Sequence, residues 1–221
     1  MSEARALLLS LVSCLFLWEN GITAPTCVKD NDDNTALYLE KLFSLTFFMT
    51  DVLATQVQNL HAEFINQYAQ DKKCSDRIPE ICHTEVLDTP KNRAEAQKTN
   101  PEELLKLVYS LLGSNNNTLH HLVNEMSLLQ GDTSALLFKA RQIKEKFEDL
   151  MEGVKIILAL VEEKGNIIYV PWSGLASLQS NSEDVRYFAF YNLIRCLLRD
   201  ARKISIFHEV IKHKMAARNT C

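Results

Sequence analysis

The fold is decided by residues 133–164, TSALLFKARQIKEKFEDLMEGVKIILALVEEK, in which apolar side chains recur every three or four positions. The repeating positions are Leu136, Ala140, Ile143, Phe147, Leu150, Val154, Ile157 and Val161. A period near 3.6 predicts a long amphipathic helix with one buried face. Gly165 follows directly and is well placed to end that helix.

Three more segments show the same periodicity, over residues 37–70, 100–126 and about 181–214. Asn100 and Pro101 are typical of a helix N-cap and first turn, and Glu183 and Asp184 favour the start of the last helix. In the second segment, residues 113–117 interrupt the apolar repeat. We expect a kink or short loop there, which would expose Asn116.

The connections between these helices predict their arrangement. Residues 71–99 and 165–180 are long connections, whereas the link near Gly131 is short. A short link joins antiparallel neighbours, and a long one can carry the chain back along the bundle. A long connection, then a short one, then a long one therefore predict an all-α, up-up-down-down four-helix bundle.

The N-terminus is typical of a secretory signal peptide. Arg5 precedes an apolar run from Ala6 to Trp18, and polar and small residues follow. The expected organisation is a signal peptide over residues 1–23, cleaved near 21–24, and one domain over 24–221. We therefore expect a secreted, extracellular protein. No later segment runs far enough without charge to span a membrane.

Composition and motifs argue against several functions. A net charge of −4 does not suggest nucleic-acid binding. There is no glycine-rich phosphate loop, and the only Glu-x-x-His pair, Glu80 and His83, precedes the second helix in a proline-containing connection. We expect no enzyme activity, no cofactor and no metal. The histidines are expected to be surface or partly packed residues.

Two features leave alternatives open. Arg195, Arg199 and Arg202 lie on one side of the last helix with Lys203 beside them and Phe207 at an edge. They form either an ordinary solvated face or a partner-binding face. Gly153, inside the third long helix, allows either close packing of another helix or a shallow cleft for a partner.

Several segments, in one order, closely resemble the prolactin and growth-hormone family. They are CHT (82–84), TPKNRAEAQ (89–97), LVNE (122–125), LMEGV (150–154), WSGLASLQ (172–179) and YNLIRCLLRDARK (191–203). The likeness extends from about Leu39 to Cys221 and is greatest to diverged, placental prolactin-like members. It implies a secreted hormone that binds cytokine receptors at cell surfaces, one face taking a first receptor and another recruiting a second.

The resemblance also implies site residues. Cys82 and Cys196 match a family disulfide, which would stabilise by roughly 4 to 5 kcal/mol on the chain-entropy model. Receptor contacts carry over to Arg199, Arg202, Lys203 and Phe207, and Gly153 matches a glycine of the second receptor site. Arg202 and Asp51 replace the family's metal- and pH-sensitive histidines, so a zinc- or proton-dependent contact is not expected.

The other cysteines depart from the family pattern. Cys27, Cys74 and Cys221 have no clear pairing, because His213 stands where Cys221 would find its partner. One hypothesis is a single pair among the three, with the remaining thiol available for a disulfide-linked dimer. Asn116 begins the sequon Asn-Asn-Thr, which predicts glycosylation in a secreted glycoprotein.

One alternative keeps the fold but not the receptor. A prolactin-like ligand that has lost binding to the prolactin receptor would engage another receptor or a heparin-like glycosaminoglycan. The Arg195, Arg199 and Arg202 stripe would carry glycosaminoglycan binding, which would be sensitive to salt.

Overall fold

The computed structural model describes residues 31–69, 73–129, 133–161 and 166–218. The chain divides into two compact units, residues 1–41 and 42–221. In the first unit only the beginning of a helix, residues 31–41, is described, so the expected signal peptide lies outside the described residues. The second unit is described below.

Helices account for the described elements, and no strand occurs in the described ranges. They are α1 (Asn31–Phe64, continued by a π-turn at Ile65–Ala69), α2 (Arg93–Lys98), α3 (Pro101–Met126), α4 (Ser134–Leu160), α5 (Leu175–Leu178) and α6 (Glu183–Arg218), with 3₁₀ turns at Cys74–Asp76 and His83–Val86. The four long helices are those predicted from periodicity.

Contacts near the helix ends define the direction of α1. Thr46, early in the second unit's part of α1, bonds to His208 late in α6, and Phe64 packs on Phe190 early in α6. Glu63, near the end of α1, forms an ion pair with Lys139 early in α4, and Gly153 late in α4 lies against Thr46. Helix α1 is therefore antiparallel to both α4 and α6.

Helix α3 also runs antiparallel to α6. Lys214 Nζ, late in α6, donates to the Thr99 carbonyl just before α3 at 2.6 Å. At the other end, Gln179 Nε2, just before α6, donates to Glu125 Oε1 late in α3 at 2.8 Å. Since α1 and α3 share one direction and α4 and α6 the other, the up-up-down-down arrangement is confirmed.

The core is built from the faces predicted by periodicity. Along α4 every position of the quoted repeat except Val161 is buried. Burial of such aliphatic and aromatic side chains is the main force that holds the helices together, at roughly 1.5–3 kcal/mol for each large side chain. None of the described helices is both long and apolar enough to cross a membrane.

The expected kink in α3 is wrong, because the helix is continuous from Pro101 to Met126. The polar break in its apolar repeat is instead covered by the second crossover, residues 166–174. The Ile168 N–H donates to Ser110 Oγ at 3.3 Å, and the Val170 N–H donates to Ser114 Oγ at 2.9 Å. Asn116 accordingly lies half-buried in mid-helix rather than in an exposed loop.

The helix ends largely follow the capping signals. Asn100 Oδ1 accepts the Glu102 N–H at 3.0 Å, with Pro101 in the first turn. Helix α6 begins at Glu183 and extends past the expected end near Lys214 to Arg218. The Lys214 bond to Thr99 anchors this last part of the helix on the chain before α3. Gly165 lies outside the described residues.

Candidate functional site

The segment after α1 runs alongside α6. We call residues 73–92 the first crossover. The Arg77 guanidinium donates to the Asp184 carbonyl at 3.3 Å near the start of α6, and Lys203 Nζ donates to Thr89 Oγ1 at 2.7 Å further along. The crossover therefore follows α6 in the same direction and covers one of its faces.

A disulfide holds the middle of the first crossover to α6. The Sγ atoms of Cys82 and Cys196 are 2.05 Å apart, and this is the pair that the resemblance implies. Arg195 donates to the Glu80 carbonyl, and its Nη2 lies 3.6 Å from each of the two Sγ atoms. Arg195 therefore bonds to the crossover instead of extending into solvent.

A buried carboxylate holds the next turn of the crossover. Asp200 is fully buried and accepts hydrogen bonds from Thr84 Oγ1 at 2.6 Å and from Asn115 Nδ2 at 2.9 Å. Arg199 donates to the same carboxylate through Nε and Nη2, at 3.0 and 2.8 Å. The pairing and the hydrogen bonds together offset the cost of burying the charge. The network joins the first crossover, α3 and α6.

The basic stripe predicted on α6 is not one solvated face, so the first of the two alternatives does not hold for the whole stripe. Arg199 is only 24% exposed and also bonds to Glu85 and Thr84 of the crossover. Arg195, Arg199 and Lys203 repeat every four positions and therefore share the face that the crossover covers. Arg202 immediately precedes Lys203 and therefore lies on a different side of α6. It is exposed and donates to Gln58 Oε1 of α1 at 3.2 Å.

Lys203 remains partly accessible beside this network. Burial lowers the pKa of its ammonium group, and the neighbouring Arg199 guanidinium lowers it further. Its bond to Thr89 places the charge at the border between α6 and the crossover.

Phe207 is not a surface contact. It is 1% exposed and packed in the core, so its assignment as a receptor contact is wrong. The repeat of α6 explains the error, because Phe207 lies three positions beyond Ile204 and extends the buried face.

Gly153 is also buried, and the cleft expected there is not open. A Cβ at this position would lie 2.9 Å from Thr46 Cγ2 of α1. Of the two explanations offered for this glycine, the structure supports the close approach of a neighbouring helix.

Three exposed apolar side chains on the first crossover were not identified from the sequence. Ile78, Ile81 and Val86 are 91%, 81% and 76% exposed, although the segment itself is held by the disulfide and the Asp200 network. The crossover has no helical repeat from which their exposure could be inferred. Val86 is exposed and the adjacent Leu87 is buried, and no repeat in this segment distinguishes the two positions.

A buried histidine was missed as well. His208 is fully buried, and burial lowers its pKa to about 4. Its Nε2 lies 2.7 Å from Thr46 Oγ1. The expectation that the histidines are surface or partly packed residues is therefore wrong at this position.

The other residues singled out from the sequence are partly buried in the core, partly exposed and partly outside the described residues. Cys74 is buried, whereas Cys27 and Cys221 lie outside the described residues. Asp51 is exposed on α1. Within the part of the chain that the structure describes, no three His, Cys, Asp or Glu side chains are grouped as a metal site would require.

The bundle topology, the two crossovers and the disulfide together define an up-up-down-down four-helix bundle, the arrangement of growth-hormone and cytokine bundles. The model of the somatotropin hormone family matches residues 10–221, and the chain belongs to that family. Because the family consists of hormones, the expectation that the chain is not an enzyme is confirmed.

The curated relatives are prolactin-like proteins. The chain is 52% identical to Prolactin-2B1 of Mus musculus over 221 residues, which covers 100% of this chain and 96% of the relative. It is 50% identical to Prolactin-2B1 of Rattus norvegicus over 220 residues, with coverage of 100% and 96%. It is 37% identical to Prolactin-2A1 of Mus musculus over 219 residues, with coverage of 98% and 96%. The resemblance to prolactins is confirmed.

Proposed function

We propose that residues 24–221 are secreted after removal of residues 1–23, and that the secreted domain binds the ectodomain of a prolactin-type cytokine receptor. The whole-length similarity to prolactin-like relatives supports this proposal. In the fold itself, one feature fits a receptor-binding role. A covalently held crossover carries exposed apolar side chains and runs along α6, which also presents the exposed Arg202 and the partly exposed Lys203.

The proposed contact surface consists of Arg202 and Lys203 on α6 and Val86 on the crossover. Arg202 is exposed, Lys203 is partly exposed, and Val86 lies next to Glu85, which pairs with Arg199. Because the backbone on both sides of this surface is held by other bonds, binding would require little ordering of the hormone. The cations suit an acidic patch on the receptor, and the valine suits an apolar pocket.

Binding kinetics with matched variants test this surface. We expect Arg202→Ala and Lys203→Ala each to weaken binding to immobilised prolactin-receptor ectodomain by about tenfold or more, which corresponds to about 1.4 kcal/mol. Lys155→Ala is the control, since Lys155 is an exposed lysine of α4 paired with Glu152. Equal binding of all three variants and the parent would rule out this surface.

Receptor bridging is a second part of the proposal and rests on the resemblance alone. Its expected contact, Gly153, is covered by α1, so a second receptor would have to dock elsewhere on the bundle. The mass of the complex at excess receptor decides between one and two receptors for each hormone.

The alternative partner is another receptor or a heparin-like glycosaminoglycan. Two of the three arginines assigned to glycosaminoglycan binding, Arg195 and Arg199, are bonded to the first crossover. This arrangement favours a receptor over a polyanion. Salt-sensitive retention on heparin without receptor binding would support the alternative.

The pairing of Cys27, Cys74 and Cys221 and the glycosylation of Asn116 remain predictions. Three thiols allow at most one pair among themselves, which would leave one for a partner chain in a disulfide-linked dimer. Mass spectrometry of the unreduced protein, before and after removal of N-glycans, tests both. Three carbamidomethylated cysteines without prior reduction would exclude the pair and the dimer.

A further inference from the structure

A cleft of about 250 Å³ lies between the two crossovers, on the side of α6 that Asn192 occupies. Its walls come from five parts of the chain: the first crossover at Glu80 and His83, α3 at Asn115, the second crossover at Trp172, α5 at Ser177 and α6 at Asn192. None of the proposed receptor contacts lines it. This volume is below the roughly 300–1,000 Å³ of sites for drug-sized ligands, so it suits a compact ligand.

Asn192 supplies a donor that is not used by the described residues. The side chain is only 4% exposed, and its Oδ1 accepts the Glu80 N–H at 3.3 Å. Its Nδ2 has no hydrogen-bond acceptor among the described residues. A buried donor without an acceptor is destabilising and uncommon in proteins, so this amide is suited to an acceptor supplied from outside the chain.

His83 and Glu80 supply acceptors at the same cleft. The His83 Nε2–H donates to the Ser114 carbonyl at 3.2 Å, and burial lowers the pKa of the ring, so the neutral ring keeps Nδ1 as an acceptor. Within the described part of the chain, the bonds of Glu80 involve its backbone N–H and carbonyl, and its carboxylate makes no hydrogen bond or ion pair. The cleft therefore offers both a donor and acceptors.

Trp172 forms a flat apolar wall. Its ring packs on His121, with the centroids 5.9 Å apart. A Cβ at Gly174 would lie 2.4 Å from Trp172 Cζ2, so the indole can take this position only because residue 174 has no side chain. Ile81, which is also at the cleft, extends the apolar surface at its rim.

We propose that this cleft binds a compact ligand with a carboxamide group and an apolar or aromatic body. The carboxamide carbonyl accepts from Asn192 Nδ2, its N–H donates to His83 or Glu80, and the body lies against Trp172. A carboxylate ligand lacks the N–H and would meet the negative charge of Glu80. Both a free small-molecule amide and the amide end of a peptide have this chemistry.

The test uses the indole N–H of Trp172 as its reporter. The chain contains two tryptophans, Trp18 and Trp172, so the domain over residues 24–221 gives a single indole resonance. Benzamide represents the free amide and N-acetyl-phenylalaninamide the peptide, and benzoate is the matched acid. We expect saturable shifts of the indole N–H at millimolar amide and none with benzoate.

Two variants and a control locate the site. Asn192→Asp keeps an oxygen for the Glu80 N–H and, above neutral pH, removes the donor, so amide affinity should fall by at least about tenfold. Gly174→Ala, in the half-buried second crossover, should displace the indole and abolish saturation. Asn124→Asp, on the exposed side of α3, should change nothing.

Absence of a saturable shift with either amide would overturn the proposal, as would equal shifts with benzoate or full binding by Asn192→Asp. A response to benzamide alone would assign the site to a free amide, and a response to the peptide analogue alone would assign it to a peptide. Neither readout involves Arg202 or Lys203, so failure of receptor binding would leave this result unchanged.

Discussion

Thr46 of α1 and His208 of α6 are buried polar residues, and they bond to each other across the core. Thr46 Oγ1 lies 2.9 Å from the Leu42 carbonyl and 2.7 Å from His208 Nε2. A hydroxyl that donates to the carbonyl must accept from the ring, which favours the Nε2–H form of His208. Gly153 of α4 lies against the same threonine. Three helices therefore meet at Thr46.

This meeting point predicts an unusual response to a methyl group at Gly153. Alanine in mid-helix usually stabilises by about 1 kcal/mol relative to glycine. Here its Cβ would lie 2.9 Å from Thr46 Cγ2, so we expect Gly153→Ala to lose that gain and to lower the free energy of unfolding. Urea unfolding at neutral pH measures the change.

Thr46→Ser is the matched partner variant, because it removes Cγ2 and keeps the hydroxyl. In that background Gly153→Ala should be neutral or stabilising, giving a coupling energy of about 1 kcal/mol in the double-mutant cycle. Purely additive effects would mean that the two residues do not press on each other.

His208 should make stability dependent on pH. Its folded-state pKa of about 4 lies below the ordinary value of 6.5. The unfolded chain therefore takes up the proton first, and stability is full above pH 6.5 and falls as the pH drops from 6.5 through 4. At 1.36 kcal/mol for each pKa unit, the loss approaches about 3 kcal/mol.

Unfolding of His208→Leu between neutral and acidic pH checks this prediction. The variant replaces the imidazole with an apolar side chain that cannot take up a proton. The Thr46 hydroxyl can still donate to the carbonyls of Leu42 and Phe43. Its stability should fall less on acidification than that of the parent. Some slope should remain, because burial also lowers the pKa of His61 and His83. Identical slopes would show that His208 is not responsible.

The burial of His208 could not be predicted from its neighbours in the sequence. Its partner Thr46 is 162 positions away, so the pairing depends on how α1 and α6 register. The sequence does show that both positions interrupt an apolar repeat, but many such interruptions are surface residues.

At the scale of elements, Thr84 is one of the residues that join the first crossover to α6. It is fully buried, and its hydroxyl donates to Asp200 at 2.6 Å. Thr84→Val keeps the shape and removes that donor, so we expect the free energy of unfolding to fall by about 1.5–3 kcal/mol, typical of a bond to a charged group.

Thr55→Val is the control for this change. The Thr55 hydroxyl is exposed and donates only to the Asp51 carbonyl of the preceding turn. Its replacement should alter stability by no more than about 0.5 kcal/mol. Chemical denaturation that finds the two variants equivalent would contradict the structural role of the Asp200 network.

The second crossover depends on the absence of a side chain at Gly113. A Cβ there would lie 1.9 Å from Tyr169 Cε1, whereas the ring is half exposed and can swing outward. We therefore expect Gly113→Ala to have little effect on global stability but to speed hydrogen exchange at the Ile168 and Val170 amides. In a Tyr169→Ala background, the same change should have no further effect on exchange.

Helix periodicity identified α1, α3, α4 and α6, because each long face buries a repeat that is visible in the sequence. Arg199 shows where this reasoning ends. Its position on the polar side of α6 is correct, but the first crossover covers that side with Glu85 and Thr84. A segment without periodicity gives no sign of which helix face it will cover.

At the scale of the whole molecule, the lengths of the connections were enough to predict the topology. A connection over residues 71–99 can follow α6 along the bundle. The bonds of Arg77 to Asp184 and of Lys203 to Thr89 show that it does. The candidate receptor contacts were less predictable. The exposure of Phe207 and Gly153 depends on which side of each helix faces the core. A rotation of the helix by one position would change a surface residue into a buried one.

The central claim is that this family member is a receptor-binding hormone. Size-exclusion chromatography coupled to light scattering, with the domain over residues 24–221 and excess prolactin-receptor ectodomain, tests it most directly. The account predicts a complex with the mass of one hormone and two receptors, reached through a one-to-one complex. A one-to-one complex alone would contradict bridging, and separate elution of hormone and receptor at micromolar concentration would contradict the central claim.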